Sequence, residues 1–196
     1  MICYLVRHGQ DDDSVRGGWS TQPLTEEGRA QAARLADFIK RNNGTLKIKH
    51  IYSSDLERAK ETAIPISEAI ALPIEYLTEF RETNNGKLAG MKNDIAIKLY
   101  PGVFWNTLEW DEKYPDGESL KDFYERILNA WNDFSKKILN NGENVLLITH
   151  SGVINVILST INGESYSNKN KPRKISHTEM LALEYISGYW KENNSL

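Results

Sequence analysis

The sequence predicts an α/β fold, a mainly parallel β-sheet sandwiched by helices. Two observations carry this. Short apolar runs with strand character alternate with longer amphipathic helical patterns along the chain. The clearest run, Val145-Leu146-Leu147-Ile148-Thr149, is apolar at consecutive positions, as a strand covered on both faces must be. The length of 196 residues fits one domain with a sizeable core, spanning residues 1–196.

Each element has a local reason. Ile2 to Val6 is a first buried strand. Thr25 caps a helix with Glu26 and Glu27 in its first turn. Ala32, Leu35, Ala36 and Ile39 form its apolar face, Lys40 and Arg41 fall in its last turn, and Gly44 is expected to follow its end. Residues 48–52 read as a second strand. Ser54 and Glu57 have capping-box spacing, so a helix is expected to open there, kinked or divided at Pro65. Residues 73–77 form a short strand, and Asn93 is expected to cap a short helix that stops before Pro101.

Ser119 begins the longest helix. Phe123, Ile127, Ala130, Trp131, Phe134 and Ile138 share one face of it, and Gly142 ends it. After the strand at 145–149 another helix starts near Gly152, and Leu181 to Ile186 is the last expected strand. Asn168 to Lys174 is expected to be a mobile, basic loop, and the tail after Lys191 to fray. Neither repeats nor a low-complexity linker interrupts the pattern.

Composition narrows the class. Hydrophobic residues make up 40% and charged residues 26%, ordinary values for a globular chain. A formal net charge of -3 gives no general attraction for nucleic acid. No apolar run is long enough to span a bilayer. The single cysteine, Cys3, rules out an intrachain disulfide and suits a reducing compartment. The N-terminus lacks the features of a secretory signal, so a cytoplasmic location is expected. Neither nucleic acid nor membrane is expected as a partner, and these grounds leave room for a homodimer.

The chemistry lies at strand ends. Val6-Arg7-His8-Gly9-Gln10 closes the first strand, where open α/β sheets bind ligands. A neutral imidazole is a nucleophile, an Arg fork matches phosphate oxygens, and Gly lets backbone approach a ligand. Ser53-Ser54-Asp55-Leu56-Glu57-Arg58 and Leu147-Ile148-Thr149-His150-Ser151-Gly152 repeat the layout of strand, polar cluster and helix start. Two Arg, two His and two helix N-termini at one edge make an anion site, and phosphate is the obvious anion. No acidic or Cys residues fall at zinc spacing around the histidines, so no metal is expected. No G-x-G-x-x-G follows a strand, and no cofactor is expected.

Six ordered segments together resemble the histidine phosphatase superfamily, also called phosphoglycerate mutase-like. They are Arg7-His8-Gly9; Pro23-Leu24-Thr25-Glu26-Glu27-Gly28 with Gln31-Ala32; Tyr52 to Ala59 with Thr62-Ala63; Phe80-Arg81-Glu82 with Gly86 and Gly90; Asp116-Gly117-Glu118-Ser119; and Thr149 to Ile154. The resemblance implies a fold of this class and a metal-independent phosphatase that hydrolyses phosphomonoesters through a phosphohistidine on His8. Arg7, Arg58 and His150 would hold the phosphoryl oxygens, and Glu82, with Glu79 as the competing candidate, would be the proton donor. Residues 80–118 would contribute that acid and a cover over the pocket. The partner this implies is a small phosphorylated metabolite, and Gly9, Gln10, Ser14, Arg16 and Ser151 are expected substrate contacts.

Departures from the family pattern are local. Asp11 stands where many members have Thr, and Ser14 where they have Asn, so Asp11-Asp12-Asp13 follows the nucleophile segment. Leu88 and Ala89 replace a Trp and an acid often seen before the second Gly of the middle motif. Tyr100, Phe104, Trp105, Trp110 and Tyr114 are expected to be core, cover or a substrate wall. His50 and His177 are expected to stand outside the chemistry. The rival readings are a phosphoglycerate mutase and a non-catalytic domain that binds a phosphoryl ligand or a protein.

Overall fold

A computed structural model describes residues 1–170 and 172–193. Its sheet has six strands, β1 (Ile2–Arg7), β2 (Ile48–Ser53), β3 (Ile74–Tyr76), β4 (Asn144–Thr149), β5 (Met180–Ile186) and β6 (Tyr189–Asn193). They lie in the order β3-β2-β4-β1-β5-β6. The first four in that order are mutually parallel, and β5 and β6 run antiparallel at one edge. The helices are α1 (Glu26–Leu46), α2 (Glu57–Ile70), α3 (Asn93–Leu99), α4 (Leu120–Asn141) and α5 (Ser151–Asn162).

Strand alternation sets the layers. Cys3 and Leu5 join Val145 and Leu147 under α4 and α5, in a core with Phe123, Ile127, Trp131 and Phe134. Tyr4 and Val6 join Leu146 and Ile148 on the other face, against Leu35, Ala36 and Ile39 of α1 and Ala59, Ala63 and Ile66 of α2. Consecutive apolar residues in β1 and β4 are thus used on both faces. A third cluster of Leu88, Leu108, Tyr114 and Leu120 forms under the 80–118 segment. Trp131 is 3% exposed, so its truncation to Ala costs ~3–5 kcal/mol.

Two caps follow their sequence signals. Thr25 accepts from the Gly28 N–H, and Ser119 forms a reciprocal box with Asp122. Other boundaries differ. Helix α1 passes Gly44 and ends at Leu46, because Lys47 takes the left-handed turn and donates back to the Asn43 carbonyl. Helix α2 begins at Glu57 with no side-chain cap, and runs undivided through Pro65. Asn93 is the first residue of α3 rather than its cap, and its side chain donates to the Asp13 carbonyl.

Leu181 to Ile186 is not the last strand. Ser187 and Gly188 both have positive φ and turn the chain into β6. Lys191 to Asn193 are therefore laddered, and the rest of the predicted frayed tail lies outside the described residues. The loop at 168–174 is fastened at one end, where buried Asn168 donates to the carbonyls of Trp105 and Leu108. Lys171 of that loop lies outside the described residues. Among the described residues, no helix is long and apolar enough to cross a membrane.

Candidate active site

Sheet register brings three strand ends together. Arg7 pairs with Thr149 across β1 and β4, and Ser53 with Ile148 across β2 and β4. The next backbone steps hold that alignment: His8 N–H donates to Thr149 O at 3.0 Å, and Ser54 N–H to Ile148 O at 2.9 Å. His8, His150 and Ser54 therefore emerge side by side at the carboxyl edge of the parallel sheet. The rings of His8 and His150 are 5.1 Å apart.

His8 has a defined tautomer. Its Nδ1 lies 2.7 Å from Gly9 O, and a carbonyl can only accept, so the proton is on Nδ1. The Nε2 lone pair meets Arg58 Nε–H at 3.2 Å. Burial, and then the neighbouring Arg58, hold His8 well below the usual imidazole range, so it is neutral at pH 7. His150 is likewise held low by burial and Arg58. Its Nε2 is 2.8 Å from Ser54 Oγ, while its Nδ1 is buried without a partner.

The arginines are unusually deep. Arg58 is 2% exposed and donates to Gly18 O at 2.8 Å and to Ser20 Oγ at 3.4 Å. Arg7 donates to Ile175 O at 2.6 Å and to His177 Nε2 at 2.8 Å, and its Nε is buried without a partner. Desolvation lowers the pKa of both, against the raising influence of the Asp11 and Glu82 carboxylates. Asp11 Oδ2, 3.5 Å from Arg58 Nε, offers partial compensation. Arg7, His8, Asp11 and Arg58, with Arg16 and Glu82, line a cavity of about 390 Å³.

The model of the histidine phosphatase superfamily (branch 1) matches residues 3–194. The chain belongs to the histidine phosphatase superfamily. It is 33% identical over 203 residues to Probable phosphatase C1687.21 of Schizosaccharomyces pombe, covering 96% of this chain and 90% of that one. It is 34% identical over 194 residues to Probable phosphoglycerate mutase GpmB of an Enterobacter species, covering 95% and 86%. The solved structure of YhfR from Bacillus stearothermophilus superposes with a TM-score of 0.83 at 26% identity, covering 97% and 94%.

In this histidine phosphatase the Glu82 segment is clamped from three sides. Trp19 Nε1 and Arg126 Nη2 both donate to Glu82 O, at 2.6 and 3.1 Å. Arg126 also reaches Glu79 O and Arg81 O, and is itself held by Glu118. The carboxylate of Glu82 accepts from Thr83 N–H and Gly152 N–H, both at 3.0 Å. A Cβ at position 152 would collide with that carboxylate, so any larger residue there would push the end of the Glu82 side chain aside. Glu79, the competing acid, lines a different hollow with Arg126 and Phe134.

The predicted contacts divide. Arg16 lines the cavity with its guanidinium 3.9 Å from the Phe104 ring centroid and its Nε buried without a partner. Ser151 lines a second, adjoining cavity with Glu82. Gly9, Gln10 and Ser14 lie outside both linings. The close approach at Gly9 is to the Gly28 backbone rather than to a ligand, and its N–H is taken by Thr62 Oγ1 at 3.0 Å. Gln10 N–H is taken by Gln31, and Gln10 O accepts from Thr25. Ser14 closes a turn in which its N–H donates to Asp12. Gly18, with φ of 58°, makes the turn that carries its carbonyl to Arg58.

Several site residues carried no readable signal. Ser54 is no helix cap, since its hydroxyl faces His150. His177 stands against Arg7, with its ring 5.9 Å from that of His8. Arg126, Trp19 and Thr62 all act through backbone groups of distant segments, which local pattern does not encode. Among the described residues, no three His, Cys, Asp or Glu side chains group as a metal site.

Proposed function

We propose that this chain is a phosphatase that hydrolyses phosphomonoesters by carrying the phosphoryl group on His8 Nε2. The observation that supports it most is the His8 tautomer: Nδ1–H is held by Gly9 O, so the lone pair of a neutral Nε2 faces the arginines. In the first step Nε2 attacks phosphorus, the P–O bond breaks, and Glu82 protonates the leaving oxygen. In the second step Glu82 takes a proton from water, the water oxygen bonds to phosphorus, and the P–N bond returns its electron pair to His8.

Arg7, Arg58 and His150 balance the charge of the phosphoryl oxygens. Arg7 Nε and His150 Nδ1, buried without partners, are donors suited to such oxygens. Ser54 orients His150: with its hydroxyl donating to Nε2, the proton of neutral His150 resides on Nδ1. Two arginines and one imidazole supply the positive charge that divalent ions provide in other phosphatases, so the reaction needs no metal. A cytoplasmic setting goes with this reading, because a single cysteine can form no intrachain disulfide.

The relative named as a phosphoglycerate mutase supports a second reading, in which phospho-His8 returns its group to an acceptor alcohol. Product analysis separates the two. Incubation with 3-phosphoglycerate should release inorganic phosphate and no 2-phosphoglycerate; isomerisation without phosphate release would establish the mutase.

A further inference from the structure

The floor of the phosphoryl cavity is shared. Gly18 and Glu82 line both the cavity of the arginines and a second cavity of about 300 Å³ beside it. A leaving oxygen that takes its proton from Glu82 therefore stands at the seam. The rest of the leaving alcohol can extend into the second cavity without passing the charged mouth.

That second cavity has an apolar character. Trp105, Leu120, Tyr166 and Pro172 form its walls. Tyr166 is backed by stacking on Tyr124, with ring centroids 5.5 Å apart, which fixes the wall. The amides on the lining are engaged elsewhere. Asn85 bonds Trp19 N–H and Gly17 O, and Asn155 bonds the backbones of Ser151 and Arg173. Its described lining carries no cation. In the more polar hollow beyond Trp105 and Tyr166, Arg173 is bound to both oxygens of Glu192, at 2.6 and 2.8 Å. On the opposite side the mouth presents Asp11, Asp12 and Asp13 beside Arg16.

We infer that the substrate is the phosphomonoester of an uncharged alcohol with an apolar or aromatic body, which seats against Trp105 and Tyr166 while its oxygen meets Glu82. A second anionic group on the alcohol, such as a carboxylate, would meet no cation on the described lining, only neutral groups such as the hydroxyls of Thr83 and Ser151 among the apolar side chains. This inference rests on the phosphomonoesterase reading and names the substrate class for that same site.

The test compares three alkyl esters with primary leaving oxygens: 2-phenylethyl phosphate, glycerol 3-phosphate and 3-phosphoglycerate. The expected kcat/KM for 2-phenylethyl phosphate exceeds both others by roughly tenfold or more. Trp105→Ala should reduce the phenylethyl-to-glycerol ratio by about the same factor, and Trp105→Phe should restore part of it. Trp105 is 36% exposed, and its carbonyl contact with Asn168 does not need the indole, so the variants fold. Equal kcat/KM for the three esters overturns the inference. So does a preference for 3-phosphoglycerate that Arg16→Gln abolishes, which would put the anion on Arg16. If p-nitrophenyl phosphate is not hydrolysed either, the phosphomonoesterase reading itself fails and this inference falls with it. Hydrolysis of p-nitrophenyl phosphate with no preference among the alkyl esters overturns the inference alone.

Discussion

Arg58 Nε–H points at Nε2 of His8 across 3.2 Å, inside a pocket where the arginine is almost wholly buried. In the proposed mechanism the donor and the nucleophile thus hold each other before any substrate arrives. An incoming phosphoryl group replaces both halves of the contact: its oxygens accept from the guanidinium, and its phosphorus meets the freed lone pair. Little reorganisation is needed, which is what preorganised electrostatic catalysis requires.

Arg58→Lys tests this pairing. A lysine keeps the charge but not the fork that reaches His8, Ser20 and Gly18 together. The expected loss in kcat is ~10²–10³-fold, measured with p-nitrophenyl phosphate. Retention of half the activity would remove Arg58 from the transition state.

Glu82→Gln should slow alkyl phosphates far more than p-nitrophenyl phosphate, whose leaving group is stable without a proton. General acid help is worth ~10²–10⁴-fold. Equal losses on both esters would move the proton donor elsewhere. Arg126→Met should reproduce the same selectivity more weakly, because it loosens the Glu82 backbone without removing the carboxyl.

Asp11 is an acid beside the arginine proposed to hold the phosphoryl group, 3.5 Å from Arg58 Nε. Its charge would oppose each unit of charge on an incoming phosphoryl group ~4 Å away by about 1 kcal/mol in bulk water and about 4 kcal/mol at an effective dielectric of 20. Asp11→Asn should therefore tighten competitive inhibition by inorganic phosphate, most clearly at low salt. An unchanged inhibition constant would show that Asp11 turns away when phosphate binds. Asp12→Asn should have a smaller effect, because the Asp12 carboxylate caps the exposed Ser14 turn rather than meeting Arg58.

Stability should fall as the solution is acidified below the unfolded imidazole pKa of about 6.5. Burial and Arg58 depress His8 and His150, so the unfolded chain binds more protons in that range. Their contribution is fully present above pH ~6.5 and is lost as pH drops. Urea midpoints at pH 7.5 and 5.5 should differ, and His150→Gln should shrink the difference. A midpoint that does not move would contradict the depressed pKa values.

The legible part of the molecule was its local chemistry. Thr25 and Ser119 cap helices through partners three residues on, and spacing alone discloses that. Buried β1 and β4 announce themselves by apolar content, and their ends put Arg7, His8 and His150 at one edge. Ser54 was misread because its spacing to Glu57 imitates a capping box, while its partner His150 lies 96 residues away. The tertiary bond wins because it satisfies a buried imidazole nitrogen. Gly44 was misread as a stop because α1 ends instead at Lys47, whose left-handed turn costs more than glycine's would. His177 lies in a short irregular stretch before β5, where no period reveals what it faces.

The most direct test of the account is rapid quenching of the enzyme during turnover of a ³²P-labelled phosphomonoester. The account predicts label on the protein that is stable in base, labile in acid, located on His8 and lost in His8→Ala. Full turnover by His8→Ala, or no protein-bound label at any quench time, would contradict it.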